Sequence, residues 1–283
     1  MSLETRIKYS SLLTPAELQF GTYLLRHAAD IAHSSMQQVL AAAFISRSMF
    51  YRFCKKLEID GFNELKILLL EDSEQQKKLS QVDVNFPFSA MDCQQSIAEK
   101  LKKLYADTIQ DTLNALDPEE LRCSVLTLHK AKDIAIYAAP PNSLAAESFQ
   151  YKMLSIGRSA HAHSTGYMQL AQASLAAPNQ AAIILSYSGK AGFIPRILPL
   201  LQAQGTPIIW IGRPGNPSLE HAVQQHLFIS ARENFRERLP QFSSQTAMQY
   251  VMDLLFSCIF KLDYDKNMAY LRAHNQLNDN RPI

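Results

Sequence analysis

Basic and hydroxyl-bearing side chains are concentrated in one short stretch, SRSMFYRFCKK, at residues 46–56. Its apolar residues Met49, Phe50 and Phe53 recur at helical spacing and predict a helix that packs against a core on one side. The stretch contains no acidic residue, so its outer face can bind DNA phosphates and the edges of bases. The candidate DNA-binding side chains are Ser46, Arg47, Ser48, Tyr51, Arg52, Lys55 and Lys56.

A preceding predicted helix, MQQVLAAAF, begins after Ser34 or Ser35 as its cap. The two helices have the spacing of a helix-turn-helix, whose second helix lies in the major groove of DNA. Within that second helix we expect three side chains near bases and three near the DNA backbone. The first set is Arg47, Ser48 and Arg52, and the second is Tyr51, Lys55 and Lys56.

The turn between these helices contains Phe44. Glycine is common at this position, because a positive φ angle costs glycine little. The sequence therefore predicts either a turn with some backbone strain or a first helix that continues slightly further.

A second candidate site combines serine, glycine and lysine at the end of an apolar run, in LSYSGKAG. Backbone N–H groups at a helix N-terminus bind phosphate together with serine hydroxyls, and glycine allows the backbone to approach closely. The residues that meet this requirement are Ser186, Ser188, Gly189 and Lys190.

An earlier turn, AAPPNS, follows the first apolar run of the same region. Pro140 and Pro141 each remove an N–H donor and restrict φ, so this turn offers fewer backbone contacts than a glycine turn would. Asn142 and Ser143 can still hydrogen-bond a sugar hydroxyl or a phosphate. The prolines therefore shift the expected anion contacts to residues 186–190.

The pattern along the chain predicts the elements that must position these residues. Helical patterns with brief connections fill the first part, and five short apolar runs alternate with helical patterns from Asp133 onward: IAIYA, AHAHS, AAIILS, PIIWIG and HLFIS. Strands joined by helical crossovers form a parallel sheet that is covered on both faces. We predict an all-α helix-turn-helix domain at residues 1–76, a polar linker at 77–92 and a three-layer α/β/α domain with a five-stranded parallel sheet at 93–283.

Bulk composition excludes several classes of site. The net charge of +2 gives no overall attraction to nucleic acid or membrane, so any such affinity requires a local patch. The four cysteines form no CxxC pair, and His161 and His163 lack a third ligand, so we expect no metal, cofactor or disulfide. The chain contains neither a signal peptide nor an apolar segment long enough to span a bilayer, so we expect a cytoplasmic protein without membrane contact.

Several stretches, in order along nearly the whole chain, resemble RpiR-type bacterial transcription regulators, which join a helix-turn-helix domain to a sugar isomerase (SIS) domain. They are LTPAELQFGTYLL, RSMFYRFCKKLEIDGFNELK, FQYKMLSIG and LSYSGK. The resemblance implies an SIS-like fold with a phosphosugar pocket at the SYSGK loop and the turn after the first strand, supported by Ser243 and Ser244. The chain departs from the family pattern at AAPPN, which replaces a glycine-rich turn, and at Ala191, which replaces a common threonine.

The sequence leaves three functions open. The first is a regulator that binds a palindromic double-stranded DNA operator as a homodimer or homotetramer and senses a sugar-phosphate-like effector; the long C-terminal helix offers an apolar face for pairing. The second is a DNA-binding regulator with a degenerate, ligand-free dimerisation domain. The third is a sugar-phosphate isomerase with Glu147 as general base. In ENFRERLPQFSS, Arg236 and Arg238 could close over an anion through paired hydrogen bonds, but the favoured interpretation is a solvated loop in which they pair with Glu233 and Glu237.

Overall fold

The computed structural model describes residues 3–8, 13–32, 34–79, 82–234 and 236–278. The chain separates into two compact units, residues 1–82 and 83–283, called unit 1 and unit 2 below. No helix among the described residues is both long enough and apolar enough to cross a membrane.

The regular secondary structure in the described part of unit 1 is entirely helical. Its helices are α1 (Leu3–Lys8), α2 (Pro15–Arg26), α3 (Ala28–Ala32), α4 (Met36–Ala42), α5 (Arg47–Lys56) and α6 (Gly61–Leu79). Thr14, Ser35 and Ser46 cap α2, α4 and α5 by accepting hydrogen bonds from first-turn N–H groups, as their side chains predict. Phe20 and Phe53 are buried between the helices and meet edge to face, with ring centroids 5.0 Å apart.

Of the two predicted possibilities, the turn between α4 and α5 is a strained turn and not a longer α4. Phe44 has a φ angle of +54°, in the left-handed region that glycine favours, and α4 ends at Ala42. The N–H of Ile45 then donates to the carbonyl oxygen of Leu40 at 3.0 Å, which closes the turn. The chain therefore makes a helix-turn-helix without glycine at this position.

A buried ion pair joins α5 to α2. Glu17 is 3% exposed, and its carboxylate accepts hydrogen bonds from Thr14 and, at 2.6 Å, from the Nζ of Lys56. Burial by itself would raise the pKa of Glu17, but the bonds from Lys56 and Thr14 outweigh it and lower the pKa to about 2. The pair therefore fixes the C-terminal end of α5 against the start of α2.

Unit 2 is a three-layer α/β/α fold. Its elements are α7 (Gln94–Ala115), α8 (Pro118–Lys130), β1 (Ile134–Ala138), α9 (Ser143–Ser155), β2 (Ala160–Ala162), α10 (Gly166–Ser174), β3 (Ala181–Leu185), α11 (Ile194–Ala203), β4 (Ile208–Gly212), α12 (Pro217–Glu220), β5 (Gln225–Phe228), α13 (Ser243–Leu262) and α14 (Tyr264–Asn278). All strand pairs are parallel, in the order β2-β1-β3-β4-β5, which confirms the predicted five-stranded sheet.

Both faces of the sheet are buried, as the uninterrupted apolar runs predict. One face packs against α8, α9 and α13 through residues such as Phe149 and Val251, and the other packs against α10 and α11 through residues such as Ile197 and Leu201. The apolar stripe of α13, interpreted from the sequence as a pairing face, is used inside unit 2.

The stretch interpreted as a linker is largely ordered structure. Helix α6 continues to Leu79, and Asn85 accepts hydrogen bonds from the N–H groups of Asn234 and Leu239 at 2.5 and 2.9 Å. The ring of Phe88 lies edge to face against Phe242. Residues 83–92 therefore belong to unit 2, because long-range contacts that a polar composition does not reveal hold them there.

Strand order places one topological switch point at the centre of the sheet. From β1 the chain moves outward to β2 and then returns to β3 on the other side of β1. Ala138 and Leu185, the last residues of β1 and β3, are register partners. The turns that follow them therefore flank the crevice where open α/β sheets bind ligands.

Replacing Glu17 by Gln should lower the free energy of unfolding of unit 1 by about 1 to 2 kcal/mol at pH 7, because Lys56 loses its charged acceptor. Since the folded-state pKa of about 2 lies below the ordinary 4.5, this stabilisation is complete above about pH 4.5 and is lost as the pH falls toward 2. Hydrogen exchange of α2 and α5 amides in wild type and Glu17→Gln should show a stability difference that shrinks over this range. A difference that stays constant from pH 7 to pH 3 would contradict this role.

Candidate functional site

The outer face of α5 presents six of the seven predicted DNA-binding side chains. Ser46 caps the helix, its hydroxyl lies 3.0 Å from that of Ser48, and Tyr51 is 57% exposed. Arg47, Arg52 and Lys55 are exposed as well. Met49, Phe50 and Phe53 pack on the core side, as their spacing predicts. The helix can therefore present cations and hydroxyls to a groove from one face.

Lys56 differs from the other six. Its side chain is 31% exposed, and its ammonium is bound to Glu17. Periodicity placed Lys56 on the outer face, but it cannot reveal a partner 39 residues earlier in the chain. Lys56 therefore positions α5, and a contact with a DNA phosphate would compete with this ion pair.

The SYSGK loop forms a tight turn at the end of β3. The N–H of Gly189 donates to the carbonyl oxygen of Ser186 at 3.2 Å, and Gly189 has a φ angle of +66°. A Cβ at this position would lie 2.7 Å from the Nδ2 of Asn216 and 3.0 Å from Trp210. Only glycine combines this φ with this close approach.

Two side chains hold the SYSGK loop in place, and its last residue is exposed. Trp210 and Asn216 donate to the carbonyl oxygens of Ser186 and Gly189 at 2.9 and 3.0 Å. Ser186 is buried, Ser188 is half-buried and Lys190 is exposed. The anchored loop therefore holds a hydroxyl and an ammonium at the carboxyl edge of the sheet, which an anion requires.

The turn after β1 lies on the other side of the same crevice. The peptide between Pro140 and Pro141 is cis, and the N–H of Asn142 donates to the carbonyl oxygen of Ala139 at 2.9 Å. Asn142 is 9% exposed, and among the described residues its Oδ1 has no hydrogen-bond partner. A buried acceptor without a donor is costly, so a ligand hydroxyl or a water that donates to this oxygen would be stabilising. Ser143 begins α9 beside it.

Ser243 and Ser244 do not line this crevice surface. Each is only 1% exposed, and the hydroxyl of Ser243 lies 2.9 Å from that of Thr108 on α7. The N–H of Ser244 donates to the Oε2 of Glu233 at 2.5 Å. Neither serine reaches the surface: the Ser243 hydroxyl is bonded within the protein, and the buried Ser244 hydroxyl has no hydrogen-bond partner among the described residues.

Glu233 supplies the cap that α13 lacks. The N-cap residue, Phe242, makes no side-chain cap hydrogen bond, and the buried Glu233 carboxylate takes that place while also pairing with Arg238. The hydroxyl of Tyr187, in the SYSGK loop, donates to the backbone oxygen of Glu233 at 2.9 Å. Burial and the nearby Glu233 carboxylate raise the pKa of Tyr187 to about 12, so this hydroxyl keeps its proton.

This arrangement corrects the expectation of a solvated loop. Arg236 and Glu237 are exposed, but Arg238 and Glu233 have only 13% and 2% of their side chains exposed. No local sequence signal marks Glu233 as a cap, because it lies 10 residues before the first helical residue of α13. The Glu233 carboxylate thus occupies the position at the N-terminus of α13 where an anionic ligand could otherwise bind.

An open groove of about 640 Å³ lies beside these elements, lined by side chains of α7, α9, α13 and the preceding loop. The lining includes the amides of Gln241, Gln245 and Gln249, and no motif in the sequence indicates this groove. Its carboxylate, Asp253, is paired with Lys152. The SYSGK loop does not line this groove.

The remaining predicted candidates do not form a reaction centre. Glu147 is exposed on α9. His161 and His163 stack with ring centroids 6.2 Å apart, and His161 lies 3.2 Å from Asp133. Within the described residues, no three His, Cys, Asp or Glu side chains form a group that could hold a metal ion.

Comparisons with known proteins match both units. Residues 1–76 match the helix-turn-helix domain of the rpiR family, and residues 127–258 match the SIS domain. The HTH-type transcriptional regulator TTE0211 of Caldanaerobacter subterraneus subsp. tengcongensis is 25% identical over 97% of this chain and 95% of its own length. The HTH-type transcriptional regulator YfhH of Escherichia coli is 26% identical over 93% of each chain.

A solved structure has the same fold over the whole chain. The Vibrio vulnificus NanR protein complexed with ManNAc-6P is 16% identical, with a TM-score of 0.60 over 97% of both chains. At this level of identity the similarity concerns the fold.

We expect Glu233→Gln to lower the free energy of unfolding of unit 2 by about 1 to 3 kcal/mol, because the largely buried ion pair with Arg238 and the charged cap of α13 would be lost. Glu237→Gln removes the same charge from an exposed position in the same loop, so it should cost less than about 0.5 kcal/mol. Urea unfolding of the two variants beside wild type measures both. Equal effects of the two substitutions would show that Glu233 does not hold the start of α13.

Proposed function

Because the chain belongs to the rpiR family of helix-turn-helix transcriptional regulators and carries a SIS domain, we propose that α5 reads DNA and that unit 2 senses a phosphorylated sugar or a related metabolite. The observation that carries the proposal is the exposed face of α5. It presents Arg47 and Ser48 in the first turn and Arg52 near the middle of a helix that is held by a capped turn at one end and an ion pair at the other.

The chemistry of this face suits double-stranded DNA. Two guanidinium groups can bind guanine O6 and N7 through paired hydrogen bonds, and the ammonium of Lys55 and the hydroxyl of Tyr51 can bind backbone phosphates. The net charge is only +2, so binding depends on this local face rather than on the field of the whole molecule. A homodimer on a palindromic operator would double these contacts.

The effector site that we propose is the crevice between the turns after β1 and β3. Ser188, Lys190 and the backbone of the SYSGK loop would bind the phosphate, and the unpaired Oδ1 of Asn142 would accept a hydrogen bond from a sugar hydroxyl. The NanR structure, which has the same fold, contains ManNAc-6P. Ala191 is partly buried and packs against the apolar core on one face of the sheet, so it adds no hydroxyl to the proposed site.

The same geometry argues against an isomerase. Aldose–ketose isomerisation needs a general base beside the sugar, but Glu147 is exposed on α9 and the groove carboxylate Asp253 is paired with Lys152. The related chains TTE0211 and YfhH carry the names of transcriptional regulators. We therefore propose that the protein is not an enzyme.

A specific observation favours a second candidate, in which unit 2 serves dimerisation alone. Glu233 places a carboxylate at the N-terminus of α13, and Ser243 and Ser244 are buried. An anionic ligand at that helix would meet a like charge. This candidate differs from the first in that no sugar phosphate should alter DNA binding.

Arg52→Ala should weaken binding to an operator selected from randomised DNA by about 5- to 150-fold, equivalent to about 1 to 3 kcal/mol. The thermal stability should not change, because Arg52 is exposed. Fluorescence anisotropy with the full chain measures the affinity at fixed salt, and Arg272→Ala, an exposed arginine of α14 in unit 2, is the control for the loss of one charge. If Arg52→Ala binds as tightly as Arg272→Ala, the outer face of α5 is not the DNA reader.

A further inference from the structure

Phe44 is an exposed aromatic residue in a strained backbone conformation. Its side chain is 96% exposed, and its φ angle is +54°. An L-residue in this region costs of order 1 kcal/mol or more, and an exposed phenyl ring gains nothing from burial. Both features disfavour phenylalanine here on grounds of stability alone.

The fold does not need this side chain. The neighbours Ala43 and Ile45 are partly buried and pack against the core of unit 1, so they fill the inner side of the turn. The turn is closed by backbone hydrogen bonds from the N–H groups of Phe44 and Ile45 to Ala41 and Leu40. Glycine would make the same bonds without strain.

The other end of α5 provides an internal comparison. Glu58 has a φ angle of +52° just after the helix, where the N–H of Ile59 donates to the carbonyl oxygen of Cys54 at 2.9 Å. Its side chain is also exposed, but it is charged and well solvated. The same backbone strain thus occurs at both ends of α5, and only at the N-terminal end is an aromatic ring presented to solvent.

That end is the one that the proposed function directs toward DNA. Phe44 lies two residues before the cap Ser46 and three before Arg47, and backbone strain is often retained where a residue has a binding role. An exposed phenyl ring so close in sequence to the cations of α5 can supply an apolar contact that cations cannot, and the apolar group exposed in the major groove is the C5-methyl of thymine.

We propose that Phe44 contacts a thymine methyl group in the DNA half-site and thereby contributes to sequence selection. The contact adds an apolar reader to the polar readers of α5, and it rests on the proposed function of that helix. Removal of the ring should then weaken binding only where a thymine methyl is present.

The test compares Phe44→Gly, Phe44→Asn and Glu58→Gly in the full chain. All three variants introduce glycine or asparagine, which tolerate a positive φ angle, so none should lower the Tm. Affinity for the selected operator should fall about fivefold or more in both Phe44 variants, through the lost apolar burial. Glu58→Gly should bind within about twofold of wild type, because it relieves the same strain outside the turn. Phe44 variants that bind as tightly as Glu58→Gly would overturn the proposal.

Deoxyuridine scanning of the operator then identifies the partner group. Replacing one thymidine by deoxyuridine removes a single methyl, which should cost wild type about fourfold at the contacted position and cost Phe44→Gly nothing there. Equal sensitivity of both proteins at every position would overturn the methyl contact. If the wild-type chain selects no DNA sequence, both this proposal and the DNA-reading role of α5 fail. If the wild-type chain binds DNA but the Phe44 variants bind equally well, only this proposal fails and the role of α5 stands.

Discussion

A carboxylate removed from water must be given hydrogen-bond donors, and this requirement fixes α5 in unit 1 and the start of α13 in unit 2. In unit 1 the buried Glu17 completes the capping box of α2 and binds Lys56, so the end of α5 is tied to the start of α2. In unit 2 the buried Glu233 caps α13, pairs with Arg238 and accepts the Tyr187 hydroxyl through its backbone oxygen. Each carboxylate joins elements that are distant in the sequence.

The contacts of Glu17 and Glu233 determine which neighbouring groups remain available to bind DNA or an effector. Lys56 is used within unit 1, whereas Arg47, Ser48 and Arg52 lie on the exposed face of α5. At the N-terminus of α13 the favourable anion position is already filled by Glu233, so the proposed effector site places the phosphate at the SYSGK loop, at the switch point of the sheet. The prolines of the neighbouring turn reduce its N–H donors, and Asn142 there contributes an acceptor instead.

Sequence reasoning succeeds here where the signal is local. Caps at Thr14, Ser35 and Ser46, the helix-turn-helix spacing and the five strand-forming runs all depend on neighbouring residues, and the structure has them as predicted. The features that the sequence does not reveal depend on long-range contacts: the partner of Lys56, the cap supplied by Glu233, the burial of Ser243 and Ser244, and the packing of residues 83–92 within unit 2. No periodicity encodes a contact between residues 39 or 135 positions apart.

The most direct test of the account is the affinity of the full chain for its selected operator with and without saturating sugar phosphates. The account predicts that at least one compound changes the Kd by about fivefold or more, since coupling between two sites is typically of that size. Lys190→Gln should blunt this response without altering the Kd measured in the absence of effector, because Lys190 is exposed in the SYSGK loop of unit 2. An unchanged Kd for every sugar phosphate in the panel would contradict the account and leave unit 2 as a dimerisation domain.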